Sequence, residues 1–399
     1  MEKSATAGRT WTRRAAASPV EELVVWEILL VRLPAKALLR CRAVCRAWRR
    51  LTSADDFLLA HHRHQPPLPL VSFRGHIRSG REFADAAVDA FDLWRSPAKR
   101  HPVLRFNDYN RFREFEVLAS CDGLLLVSLS IWGSSSFYIC NPATRQWITL
   151  PSPAGNTIAG LYPHGSSGEY RVLYRKRRSR YREGEGDDVY SVLTVGSSAE
   201  PRRIGCPVLA SPSIKRSMAF MNDRPPVLLH SCLHWGQQSL NQDLIVFDTV
   251  SESFRCISAP AAYNWACSDL FDMYGMLGVS NVNQSQAMVE VWVLQDYKMG
   301  VWSLKYQIKL PVVEMRTIAK RWSFNALIVS ESGDMLVYCN TDLHLFHCSS
   351  DGKLLQKFQW DHVSPNVTGH WFKESLCRHS FLQNQDHGFL GQPRFFRGL

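Results

Sequence analysis

The strongest constraint on what this chain can fold into is a repeat. From residue 68 onward an apolar run, a polar turn and a second run led by a large side chain recur: "FYICNPATRQWITLP", "VYSVLTVGSSAEPRRIG", "LIVFDTVSESFRCISAP", "VEVWVLQDYKMGVWSLKYQIKLP" and "LHLFHCSSDGKLLQKF". The leading large residues are Trp147, Ile204, Phe254, Trp302 and Leu354, separated by 57, 50, 48 and 52 positions. An earlier, looser copy, "AVDAFDLWRSPAKRHPVLRF", puts Leu104 in the same place after a longer turn. Further apolar runs lie between the hairpins, in "CDGLLLVS", "EYRVLYR", "SCLHWG", "YGMLGVSN" and "GDMLVYCN". These are expected to be inner strands. A unit of several short strands, repeated about every 50 residues, cannot bury both faces by itself and does so by packing on its neighbours.

That requirement predicts a kelch-like β-propeller. Six visible copies give six blades, or seven if the chain ends pair to close the ring. A stacked β-sandwich is the alternative that periodicity leaves open.

The first part of the chain has another character. Of the net charge of +11, residues 1–65 contribute twelve Lys/Arg against six Asp/Glu. Pro66, Pro67 and Pro69 then break any helix, and short β-rich runs begin. The expected architecture is α+β multidomain: a tail over 1–17, expected to be disordered, a small all-α module over 18–62, an all-β propeller over 68–375, and a C-terminal tail over 376–399. No run approaches the roughly 20 apolar residues of a membrane span, and the polar start lacks the apolar core of a secretory signal. The chain is expected to be intracellular, in nucleus or cytoplasm. Eleven cysteines without a C-x-x-C pair suit reduced thiols better than disulfides or a zinc module. The sequons at Asn283 and Asn366 are then expected to carry nothing.

On a helical wheel, residues 37–51 place Leu38, Cys45, Cys41, Trp48, Ala37, Val44 and Leu51 on one arc and Arg42, Arg46, Arg49 and Arg50 on the other. Both cysteines fall in the apolar stripe, where a thiol acts as a small hydrophobe. Leu39 projects from the basic arc, which points to a contact surface. Upstream, "ELVVWEILLVRL" (22–33) reads as a helix apolar on almost every side, ended by Pro34. A module of about 45 residues cannot bury all of that internally. Part of it is expected to face another protein, unless the repeat unit covers it. Ser53 reads as the N-cap of a further short helix that opens with Asp55 and Asp56.

Pro19, Leu23, Glu27-Ile28-Leu29, Arg32-Leu33-Pro34, Leu38-Leu39, Val44-Cys45 and Trp48 together resemble the F-box, the helical motif that docks on a Skp-type adaptor and through it on a cullin scaffold. The resemblance covers residues 18–62. It departs from the usual pattern at Ser18-Pro19 and in a first helix lengthened by Trp26 and one of Leu30 or Val31. It implies a helix break near Val44-Cys45. It also implies adaptor-binding roles for Pro19, Leu23, Ile28, Leu29, Leu33, Pro34, Leu38, Leu39, Val44 and Trp48. The elements "SCDGLLLVS", "NPATRQW", "LHWG" and "FDTVSESF" are similar to the F-box-associated repeats of plant F-box proteins. That similarity implies a propeller that binds a target protein for ubiquitin transfer by other subunits.

Other candidates have plainer readings. "KRRSRYR" (176–182) is followed by Glu183, Glu185, Asp187 and Asp188, and reads as a self-paired exposed loop rather than a nuclear-import or phosphate-binding signal. His61, His62 and His64 read as a solvated helix end rather than a metal site. Trp235, Trp265, Trp292, Trp302 and Trp371 read as core rather than as a ligand-stacking platform. No catalytic, phosphate-binding, metal or dinucleotide fingerprint is present, so neither an enzyme nor a cofactor is expected. The alternative is a basic protein with a degenerate F-box that binds nucleic acid through Arg40, Arg42, Arg46, Arg49 and Arg50, or that acts as a scaffold.

Overall fold

The computed structural model describes residues 31–382, leaving out 76–85, 96, 107–113, 132–133, 152–155, 177–188, 205–223, 237–242, 262, 265–267, 316–323, 331, 339–342 and 362. The chain divides into two compact units on either side of the Gln65/Pro66 joint.

The first unit contains α1 (Ala35–Cys41), α2 (Arg46–Leu51) and α3 (Asp55–His64). The continuous helix expected over 37–51 is therefore divided, as the F-box resemblance implied. Cys45 is extended (φ −158°, ψ 166°), and its Sγ accepts the Trp48 N–H at 3.4 Å, so it caps α2. The wheel fails beyond this break. Val44 and Cys45 are exposed instead of lying in a buried stripe, while Cys41, Trp48 and Leu51 are half-buried. Val31–Leu33 form a turn, not the end of a helix, because the residue before a proline is pushed out of the helical region. Ala54, not Ser53, occupies the N-cap of α3 and makes no side-chain cap, although Asp55 and Asp56 do stand in the first turn.

The second unit is a six-bladed propeller. Its strands, in chain order, are β1 (Leu68–Gly75), β2 (Ala86–Asp92) and β3 (Lys99–Phe106); β4 (Glu114–Cys121), β5 (Leu124–Ile131), β6 (Ser134–Asn141) and β7 (Gln146–Leu150); β8 (Asn156–His164), β9 (Glu169–Lys176), β10 (Val189–Thr194) and β11 (Arg202–Ile204); β12 (Val227–Leu229), β13 (Cys232–Gly236), β14 (Asp243–Asp248) and β15 (Ser253–Ser258); β16 (Ser268–Asp272), β17 (Leu277–Asn283), β18 (Met288–Asp296) and β19 (Val301–Lys309); β20 (Asn325–Ile328), β21 (Met335–Tyr338), β22 (His344–Cys348) and β23 (Leu354–Gln359); and β24 (Val363–Phe372). Each blade is a four-stranded antiparallel meander. In the blade that closes the ring, the last strand pairs with the first, in the order β24-β1-β2-β3, with Leu68 opposite Phe372. The ends do pair, and they do so inside the first blade rather than forming a further one, so the count is six and not seven.

The expected hairpins are β2–β3, β6–β7, β10–β11, β14–β15, β18–β19 and β22–β23, the outer half of every blade. The runs expected as inner strands are β5, β9, β13, β17 and β21, second from the inside. The innermost strands were not singled out. β24 lies against β4, β4 against β8, β12 against β16 and β16 against β20. Burial explains the patterns. β13 and β21 are buried at every position because another blade covers each face, whereas outer β23 alternates between half-buried and exposed.

Among the described residues the propeller's core is divided between its blades. Six apolar clusters fill the six spaces between neighbouring blades. Asp122 and Gly123 make the tight β4–β5 turn at φ 49° and 83°. A Cβ on Gly123 would also lie 2.3 Å from Ser375 Cβ, in the segment that follows β24. That segment stays packed on the propeller: Asn141 Nδ2 donates to the Ser375 carbonyl at 3.0 Å, and Leu382 is buried between the second and third blades.

Candidate functional site

The candidate surface lies on the α1–α2 corner of the first unit. Pro34 fixes the entry to α1, standing at its N-cap with φ −58° and ψ 149°. The preceding turn is tied to α3: His61 Nε2 donates to the Leu33 carbonyl at 2.7 Å, and the Gln65 amide reaches the same carbonyl at 3.1 Å. The α1–α2 turn is held by the Arg42 guanidinium, which donates to the Thr52 carbonyl at 2.8 Å. Val31, Ala35, Leu38, Phe57 and Leu58 are buried. With those groups inside, α1 and its turn present Leu39 at 39% exposure and Val44 at 64%.

The expected docking residues are thus spread over three situations. Pro34, Leu39 and Val44 are exposed, Leu33 and Trp48 are half-buried, and Leu38 is fully buried. Pro19, Leu23, Ile28 and Leu29, with the rest of the lengthened first helix through Leu30, lie outside the described residues. Sequence reasoning missed two supports of this surface, Cys45 as a cap and Arg42 as a clamp. The signal for the first was its place three residues before Trp48, directly after the implied break.

The arginines do not form one uniform face. Arg42 is half-buried and committed to Thr52, whereas Arg40, Arg46, Arg49 and Arg50 are exposed. The histidines depart from the solvated reading. His61 and His62 are buried and only His64 is exposed, its Nδ1 2.9 Å from the Ala60 carbonyl. The reason is that α3 turns its last two turns onto the 31–34 segment, which needs a donor for the Leu33 carbonyl. Among the described residues no group of three His, Cys, Asp or Glu could hold a metal, and no helix is long and apolar enough to cross a membrane.

In the propeller, Trp235 is buried between the third and fourth blades. Trp292 and Trp302 are half-buried against the cluster between the fourth and fifth, and the Trp302 indole donates to the Ser258 carbonyl at 2.8 Å. Trp371 packs in the cluster beside the closing blade. These four are packing residues; Trp265 lies outside the described residues, as does all of "KRRSRYR" except Lys176. Near the axis, the Arg224 guanidinium is already used, paired with Asp269 and donating to Asn325 Oδ1 at 3.2 Å.

Two family models match the chain: the F-box domain over residues 23–59 and the F-box associated beta propeller domain over residues 97–384. Among curated relatives, F-box protein At3g07870 of Arabidopsis thaliana is 27% identical over 308 residues, covering 69% of this chain and 70% of that protein. F-box protein At5g18160 of the same plant is 30% identical over 301 residues, covering 71% and 69%. Among solved structures, TolB from Acinetobacter baumannii superposes with a TM-score of 0.42 at 10% identity, covering 82% of this chain and 70% of TolB. The blade count therefore rests on this chain's own strand pairing. With one model on its helical unit and the other spanning most of its length, the chain belongs to the plant F-box proteins that carry an F-box-associated β-propeller.

Proposed function

We propose that this chain is the substrate-recognition subunit of a Skp-cullin-F-box ubiquitin ligase. The α1–α2 surface binds a Skp-type adaptor and through it the cullin, and the propeller holds a target protein. Recognition is its contribution, and the transfer chemistry belongs to other subunits. It works inside the cell, in nucleus or cytoplasm. The observation that carries the reading is the exposure of Leu39 and Val44 beside Pro34 within the residues that match the F-box. Two large aliphatic side chains on a short, internally braced corner are unfavourable in water and favourable under a partner.

The propeller supports its half of the reading through its connections. In an antiparallel meander successive connections alternate between the two ends of a blade. The strands that lead into the longest connections, β9, β11 and β19, finish at one end of the propeller, while the other end carries short turns such as 122–123 and 230–231. The end with the long connections is the target-binding face.

The test is co-purification of the full chain with a Skp-type adaptor, together with a Leu39→Asp variant. The wild type is expected to bind, and Leu39→Asp to weaken the complex by about 2 kcal/mol or more, the scale of an apolar anchor at an interface centre. A wild type that binds no Skp-type adaptor defeats the proposal.

A further inference from the structure

The anchors of this surface sit in a field of one sign. Between Val31 and Ala54 the chain has seven basic residues and no Asp or Glu. Arg42 is spent on Thr52, but Arg32, Lys36, Arg40, Arg46, Arg49 and Arg50 are exposed. Among the described residues none of these six forms an ion pair. Helix spacing distributes them around the apolar groups. Lys36, Leu39 and Arg40 lie at i, i+3 and i+4 on the exposed side of α1, and Arg46, Arg49 and Arg50 repeat that spacing on α2. Val44 stands between the two sets on the turn.

From this juxtaposition we infer that the adaptor surface this chain selects is an acidic one, with carboxylates ringing an apolar recess, and that electrostatic steering sets the speed of assembly. The inference rests on the adaptor reading above and adds to it the chemistry of the partner. Six exposed cations without a counter-charge attract an acidic surface from about a Debye length away, and rim charges of this kind act on the association rate. The anchors Leu39 and Val44 act afterwards, once water is excluded, and so govern how long the complex lasts. A phosphate backbone satisfies the cations equally well, but it leaves Leu39 and Val44 in water. A protein surface covers both.

The experiment measures association and dissociation rates of the full chain with a purified Skp-type adaptor, from about 50 to about 500 mM salt. The association rate is expected to fall about tenfold or more across the range, with the dissociation rate constant within about twofold. Arg46→Gln with Arg49→Gln and Arg50→Gln should lower the low-salt association rate about tenfold and flatten its salt dependence, while Val44→Asp should raise the dissociation rate. If the triple variant loses helicity by circular dichroism, Lys36→Gln with Arg40→Gln on α1 decides the matter by the same readout. Binding whose association rate ignores salt, or a folded neutralised variant with the wild-type salt slope, overturns this inference and leaves the adaptor reading intact. Absence of adaptor binding at every salt concentration overturns both. A short duplex DNA that binds with a steep salt dependence and is unaffected by Leu39→Asp assigns the cations to phosphate, and also overturns the inference.

Discussion

His370 on β24 is buried, its Nε2 donating to the Val117 carbonyl at 3.0 Å, and burial holds its pKa down at about 4. His234 on β13 is pushed down to about 4 by the same cause; its Nδ1 faces the Val227 carbonyl at 3.1 Å and its Nε2 the Tyr297 hydroxyl. Both rings are neutral in the fold. In the unfolded chain they take up protons near pH 6.5. Between about pH 6.5 and 4 the unfolded state therefore binds more protons, and stability falls as pH falls; below about 4 both states are protonated and the histidines add no further slope. Each pKa unit is worth about 1.4 kcal/mol, so the two rings together cost several kcal/mol across that window. Urea unfolding of the wild type and a His370→Gln variant at a series of pH values tests this. The gap between the two should shrink or reverse as pH drops from 7 to 4, and a constant gap would mean that His370 does not titrate with folding. None of this was legible in the sequence, because "TGHWF" shows a histidine but not the neighbouring blade that buries it.

At the scale of elements, the outer hairpins were readable because a strand, a polar turn and a strand are contiguous in sequence, and only local alternation is needed to see them. Their leading residues are less uniform than the repeat suggests. Phe254 is buried, with its ring 4.6 Å from Tyr190 of the preceding blade and 4.8 Å from Phe247, whereas Trp302 in the matching place is half-buried. Phe254→Arg should destabilise the propeller by several kcal/mol, since its charge would enter the space between two blades, where the nearby Glu252 carboxylate is already shared by Arg171 and Arg202. Trp302→Phe should cost less, losing mainly the hydrogen bond to Ser258. Thermal melts of the two variants check the order. A wild-type melt for Phe254→Arg would put this ring on the surface. In the helical unit the same locality misled: 37–51 has one apolar arc on a wheel, yet the extended backbone at Cys45 ends one helix and caps the next, and Arg42 binds Thr52 ten residues on across that break.

For the whole molecule, closure is the decisive event. β24 pairs with β1 across nearly the full length of the repeat unit, and the seam beside it is reinforced by Arg100, which binds Asp89 at 2.6 Å and lies over Phe73, Phe91 and the Trp360 ring of the neighbouring blade at 4.9, 5.7 and 5.4 Å. Residues 66–399 should fold without the helices, since every blade has a blade on each side, whereas a chain ending at 362 should not, since it leaves the inner edge of β1 without its partner and strips two inter-blade clusters of Val367 and Phe372. Circular dichroism and limited proteolysis of the two fragments test the pair of expectations, and a folded 1–362 would mean that closure is dispensable. The sequence by itself determined the period, the hairpins, the change from helix to strand after Gln65 and the residue types of an F-box, because each is written within a few dozen neighbouring positions. Only the tertiary structure decided between six blades and seven, identified the innermost strands, and separated the exposed Leu39 and Val44 from the buried Leu38, because pairing and burial depend on residues hundreds of positions away or on another helix, and no local pattern encodes which surface another part of the chain will cover.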